Sequence, residues 1–347
     1  MKARRSSAPR DSVQTSHHGR AGSNPRRASL ALALALALAA CGGKSTPAAT
    51  PAAKAADRSD LAPPAIKALI DGAAFAKIYL REGDATGAKA KATTKLREAI
   101  GLDGRLWEAH LDLGLVLARA GELAEAENAL TKAAEIAPDA ESVAVALCEV
   151  RRRRGKLGPA AEALEAFVKT HPDAIDAKAR LVVVQREAGK FDAAVETARV
   201  VLTKRPLDDA TRAELALAHL ARGDVEVAEL LVSQALKQNE KSVPALRAQG
   251  MIALAKGDTA SAFRSFERAA ELDPSDTTAR VNMGSVLLRA GAFADAESAF
   301  RQALVAAPDD EGALLGLGIA LRGVNKLEEA RAVYEKILAR SPRHLAA

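Results

Sequence analysis

Prolines at 138, 172, 206, 274, 308 and 342 recur every 34 residues with one place skipped. That place, 240, holds glutamate, and Pro244 follows it. Twelve residues ahead of each of the seven places stands an alanine: Ala126, Ala160, Ala194, Ala228, Ala262, Ala296 and Ala330. Five residues earlier again comes glycine six times (Gly121, Gly155, Gly189, Gly223, Gly257, Gly291) and then Asn325. A fixed period of this length marks an array of supersecondary units, each too small to bury its own apolar face and therefore stacked on its neighbours. Seven such units run over 107–344 without an insertion or deletion.

Each unit reads as helix A, a Gly-centred turn, helix B and a Pro-marked turn. In the first unit, apolar residues recur at helical spacing in both halves, as in Leu113, Leu117, Leu123, Leu130 and Ile136. Asparagine is the residue best able to replace glycine where the chain must turn left-handed after a helix. The recurring alanine falls where helix B crosses its partner, and a larger side chain there would force the axes apart. Composition agrees. Hydrophobic residues make up 48% but aromatics only 3%, so the core must be built from Ala, Leu and Val. Such small side chains suit close-packed helices and disfavour an all-β fold.

The pattern resembles the tetratricopeptide repeat (TPR) family. The family's Leu-Gly pair in helix A appears as Leu113-Gly114, Met283-Gly284 and Leu317-Gly318, with Gly250 and Ala216 in the same small place. Cys148 and Val182 depart from it. The family's aromatic place in helix B is kept as Phe266, Phe300 and Tyr334. The resemblance implies an all-α, right-handed α-solenoid of antiparallel helix pairs. Its units are 107–140, 141–174, 175–208, 209–242, 243–276, 277–310 and 311–344. Residues 64–106 read as a degenerate N-terminal hairpin, with a helix to about Arg81, a turn near Gly83 to Gly87 and a second helix through Ala92, Leu96, Ala99 and Leu102. Residues 345–347 are a tail.

The formal net charge of +6 lies wholly in residues 1–40, where seven basic residues face the single acid Asp11; the rest of the chain is balanced. The basic stretch ends in Arg26-Arg27, and an Ala/Leu run from Leu30 to Ala40 follows that is too short to span a bilayer. The run closes in Leu38-Ala39-Ala40-Cys41, which resembles the bacterial lipoprotein signal. That resemblance implies removal of 1–40 and lipidation of Cys41, whose acyl chains bury roughly 0.8 kcal/mol per methylene. By resemblance to enterobacterial lipoprotein sorting, Gly42 in place of aspartate implies the periplasmic face of the outer membrane. Residues 41–63, rich in Ala and Pro, read as a tether averaging on the order of 25 Å end to end.

Catalysis needs titratable groups brought together. His110, His171, His219 and His344 fall in different units, and no Cys/His cluster has metal spacing. Gly312 to Gly323 lacks the Lys-Ser/Thr of a phosphate loop. Cys148 sits at a helix-A contact place, so a buried, inert thiol is expected. The expectation is a non-enzyme without metal or cofactor. The run Arg151 to Arg154 spreads round a helix C-terminus and does not make a nucleic-acid site.

Function in such solenoids lies on the concave surface lined by helix A. Projecting the family's inward-facing places gives a charged stretch, with Arg152, Arg153, Arg180 and Arg186 beside Glu149 and Glu187. From the fourth unit it is mostly apolar: Leu217, Leu220, Met251, Leu254, Val281, Leu288, Leu315 and Ile319, interrupted by Arg247, Asn282 and Arg322. Two readings stand for this stripe: a surface for an amphipathic helix or extended peptide, or leucines that only pack helix A on its neighbours. Val333, Ile337 and Leu338 on the last helix read as an apolar face open to self-association or partner docking. The layout resembles the pilotin-type TPR lipoproteins of type IV pili and those of gliding motility or polysaccharide export. It implies a lipid-anchored scaffold for protein partners in an envelope machine, or alternatively a periplasmic holding chaperone or cargo adaptor.

Overall fold

A residue in the left-handed conformation just past a helix lets the chain reverse while the last carbonyls still find donors. The computed structural model describes residues 62–340, apart from Ala85 and Ser275, and shows this device at every A–B turn of the seven units. The six glycines have φ between 70° and 88°, and Asn325 has φ 61°. At the first turn the Glu122 N–H donates to the Leu117 carbonyl at 2.9 Å, and the equivalent bond recurs at Lys156, Lys190, Asp224, Asp258, Ala292 and Lys326. Valine at 325 is expected to lower stability by about 1–2 kcal/mol, because its branched Cβ clashes in this conformation. Glycine there should be neutral or slightly stabilising; denaturant midpoints that match for both variants would contradict this.

The proline turns are equally uniform. Across Pro138 the Ala140 N–H donates to the Ala137 carbonyl at 3.1 Å; across Glu240 the Ser242 N–H donates to Asn239 at 3.0 Å. Proline presets φ for such a turn but is not needed to form it. Asp208, Ser242, Asp276 and Asp310 then cap the next helices, each side chain accepting a backbone N–H.

Sixteen helices result among the described residues. The first hairpin is α1 (Pro63–Glu82) and α2 (Ala88–Leu102). The A/B pairs follow: α3 (Trp107–Arg119) and α4 (Leu123–Ile136), α5 (Glu141–Arg153) and α6 (Leu157–Thr170), α7 (Ile175–Glu187) and α8 (Phe191–Lys204), α9 (Asp209–Arg222) and α10 (Val225–Gln238). The last three are α11 (Val243–Ala255) and α12 (Thr259–Leu272), α13 (Thr277–Arg289) and α14 (Phe293–Ala306), α15 (Glu311–Gly323) and α16 (Leu327–Arg340). The seven recurring alanines are 0–2% exposed, so the crossing point admits nothing larger.

One contact inside every hairpin trades size between its two sides. A Cβ on Gly114 would come 2.6 Å from Leu130, one on Gly250 2.5 Å from Phe266 and one on Gly284 2.7 Å from Phe300. The third unit inverts the pair: bulky Val182 and small Ala198 share one buried cluster. The Val182 departure is thus compensated by Ala198. In α1 and α2 the same contact is made by Gly72 and Leu96, at 2.8 Å.

Each B helix packs on the A helix that follows it. Successive A helices also touch, at α1–α3, α3–α5, α5–α7, α7–α9, α9–α11 and α13–α15, with no comparable packing between successive B helices among the described residues. Elements crowded on one side and splayed on the other curve the stack, with the A helices inside. Between α11 and α13 the direct packing is slighter, and the two helices meet through shared core clusters with α12, as Leu246 with Ala279 and Ala253 with Val286. The curl brings distant units together: the Asp309 carboxylate, in the turn before α15, stands 3.0 Å from where a Cβ on Gly121 would lie.

Candidate functional site: the inner face of the array

The inner face divides into three stretches. Along α5, α7 and α9 the charges pair with one another across units. Arg152 meets Glu149 at 2.8 Å and Glu187 at 3.1 Å, Arg180 meets Glu149 at 3.2 Å, and Arg186 meets Glu214 at 2.6 Å. Burial pushes the Glu149 carboxyl up, but the Arg152 hydrogen bonds and the Arg180 charge outweigh it and hold the group low. Burial likewise works against the charged Arg152 guanidinium, and the Glu149 and Glu187 carboxylates more than reverse it.

All four arginines of the 151–154 run are engaged. Arg151 and Arg154 bind Glu127 on α4, with Lys156 closing on the same carboxylate at 2.9 Å. Arg153 donates to the Ala118 carbonyl at 2.8 Å. Burial raises Glu127, and its three cations more than reverse that. Glu297 repeats the motif with Arg301 and Lys326.

From α9 onward the wall is apolar. Leu217 and Leu220 pack on the α9–α11 core, Leu254 on the cluster of Phe266 and Val286, and Val281 and Leu288 on the cluster of Phe300. Leu315 is half-buried as well. Met251 and Ile319 stand out at 38% and 40% exposed. The stripe therefore combines both sequence readings: most of its residues brace the helices, and two project from them. Asn282 is half-buried beside it, and Arg322 is exposed. Arg247 on α11 reaches Asp276, the cap of α13, at 3.0 Å.

The third stretch was not found from sequence. On α3, Glu108 and Asp112 stand four residues apart; Glu108 is buried and Asp112 half-buried. Burial, reinforced by the Glu108 charge, pushes the Asp112 carboxyl up to about 7. The only sequence signal was the i, i+4 spacing of two acids.

Other groups are held locally. His110 reaches the Gly104 carbonyl, His171 stacks on Phe167 at 4.3 Å between ring centres, and His219 meets Asp224 at 3.0 Å. Cys148 is 2% exposed, and burial pushes its thiol up to about 12. Among the described residues no group of His, Cys, Asp and Glu is placed to hold a metal ion, and no helix is long and apolar enough to cross a membrane. A cleft of about 730 Å³ is lined by α10, α11 and α12, including Val232, Gln249, Ile252 and Ser265.

The apolar face expected on α16 needs correction. Ile337 is 2% exposed, Val333 is half-buried against the core beneath α16, and only Leu338, at 37%, is exposed. Ile337 occupies the unit place held by Ala133, Phe167, Val201, Ala235, Ala269 and Ala303, all of them buried except the half-buried Phe167. Leader residues 1–40, Cys41, the tether up to residue 61, His344 and the tail lie outside the described residues.

Fold and inner face together define an all-α repeat superhelix of the kind that serves as a protein-interaction scaffold. Profiles of the Tetratricopeptide repeat match residues 107–140, 146–209, 213–277 and 281–344, and the chain belongs to that family. Among solved structures it is similar to a tetratricopeptide repeat protein of Parabacteroides merdae, at 14% identity and TM-score 0.59, covering 74% of this chain and 99% of that one. It is also similar to a thermophilic TPR protein of Thermus thermophilus, at 21% identity and TM-score 0.47, covering 52% and 99%. No curated protein matches the chain.

Proposed function

We propose that this chain is a lipid-anchored, non-enzymatic scaffold on the periplasmic face of the bacterial outer membrane, binding protein partners along its inner face during assembly of an envelope machine. The observation that carries the anchor is Leu38-Ala39-Ala40-Cys41 after a basic, apolar leader. About twenty Ala/Pro-rich residues then lead to the array, a length that holds a folded body just off a membrane. The partner reading rests on Met251 and Ile319, which project from the wall into the curve.

Replacing Cys41 with serine is expected to abolish incorporation of an alkyne fatty acid and to release the chain from membranes. A labelled Cys41→Ser protein would refute the anchor. Crosslinking from Met251 or Ile319 in the native host should recover one stoichiometric partner. A broad set of unfolded clients would favour the holding-chaperone alternative.

A further inference from the structure

The inner wall treats its cations in two ways. Along α5 and α7, Arg152, Arg180 and Arg186 each have a carboxylate from a neighbouring unit: Glu187, Glu149 and Glu214. Along α13 and α15 that supply stops. Arg289 and Arg322 sit at the C-terminal ends of these helices, in the places where Glu187 and Arg152 stand earlier. Both are exposed, and neither meets a carboxylate among the described residues. The place that Glu187 fills in the third unit thus holds a cation in the sixth and Gly323 in the seventh. Asp276, at the start of α13, is already engaged by Arg247 at 3.0 Å and the Thr278 N–H at 2.9 Å. Met251 and Ile319 are exposed on the A helices of the same stretch of wall.

We infer that the inner face of the last three units docks an amphipathic helix whose flank is acidic, with apolar side chains on Met251 and Ile319 and carboxylates on Arg289 and Arg322. This rests on the scaffold reading and names the chemistry of its partner. Charge answers charge here in trans, as it does within the array in cis: an apolar anchor supplies the contact and the carboxylates set orientation and selectivity. A basic segment of the same apolar pattern would place like charges at both arginines and lose affinity.

The test uses the full chain in detergent and two fluorescein-labelled eighteen-residue peptides. Both carry leucine at i, i+3, i+4 and i+7 spacing; one has glutamate on its flanks and the other lysine. By fluorescence anisotropy at low salt, the glutamate peptide is expected to bind at least tenfold more tightly than the lysine peptide. That preference should shrink at high salt. The double variant Arg289→Glu with Arg322→Glu should reverse it, and Ile319→Glu should weaken both peptides; these side chains are exposed, and an unchanged helical circular dichroism melt checks the fold. Equal binding of the two peptides, no binding of either, or a preference untouched by the double arginine reversal overturns the inference. The scaffold reading fails separately, if crosslinking from Met251 and Ile319 in the host recovers no protein.

Discussion

Valine at position 284 is expected to destabilise the array by about 3 kcal/mol, the upper range for overpacking a core. A Cβ there would stand 2.7 Å from the Phe300 ring. The ring has little room to retreat, because Gly316 of the following helix closes on the same ring atoms even more tightly. Phe300 is 1% exposed and so is held by two glycines from successive units. Glycine inside a helix costs up to about 1 kcal/mol relative to alanine; here that cost is offset by the aromatic ring the glycines admit. The third unit shows the remedy. Val182 and Ala198 fill the same contact with the sizes exchanged, so adding Phe300→Ala to Gly284→Val should recover part of the loss, with a coupling of about 1–2 kcal/mol. The recovery stays partial, because removing the ring opens space beside Gly316. Urea titration of the single and double variants measures this, and additive losses would show that the two positions do not share one volume. Unfolding is followed as a midpoint, since repeat arrays need not melt in one step.

Much of this architecture was legible because its constraints are local and repeat. A left-handed turn admits few residues, and Asn325 could be read as a glycine substitute without any structure. The alanine at each crossing was readable for the same reason. What escaped reading depends on which places meet between helices, within a unit or across units. Val182 looked like a departure until Ala198 was seen opposite it. Arg152 and Glu187 are 35 residues apart, one place beyond a full period, so their pairing follows from stacking and not from proximity in the chain. Ile337 reads in sequence as part of an open apolar face with Val333 and Leu338 on the last helix. Comparison with Ala235 and Ala269, its counterparts, places it inward.

Asp112 gives the array a pH dependence opposite to that of its paired carboxylates. Burial and the neighbouring Glu108 raise its folded value to about 7, above the unfolded value of roughly 3.9. A raised group contributes stability fully below its unfolded pKa, and the contribution is lost as pH rises through the folded one. Between pH 4 and 7 the folded chain keeps the proton that the unfolded chain releases; above 7 the bare carboxylate faces Glu108 at full cost. Glu127, Glu149 and Glu297 run the other way. Their cations hold them below the ordinary glutamate value against their own burial, so their contribution is present above about pH 4.5 and fades as the pH falls below it. Asp112→Asn should therefore raise stability by about 1–2 kcal/mol at pH 8, allowing for the solvent that reaches this half-buried group. The gain should shrink steadily as the pH falls below 7 and come close to zero only near pH 4, where the unfolded chain holds the proton as well. Denaturant midpoints for wild type and Asp112→Asn across pH 5 to 8 measure the difference. A gap that stays constant over that range would mean the carboxyl titrates normally, and that the wall beside α3 is wetter than its geometry implies.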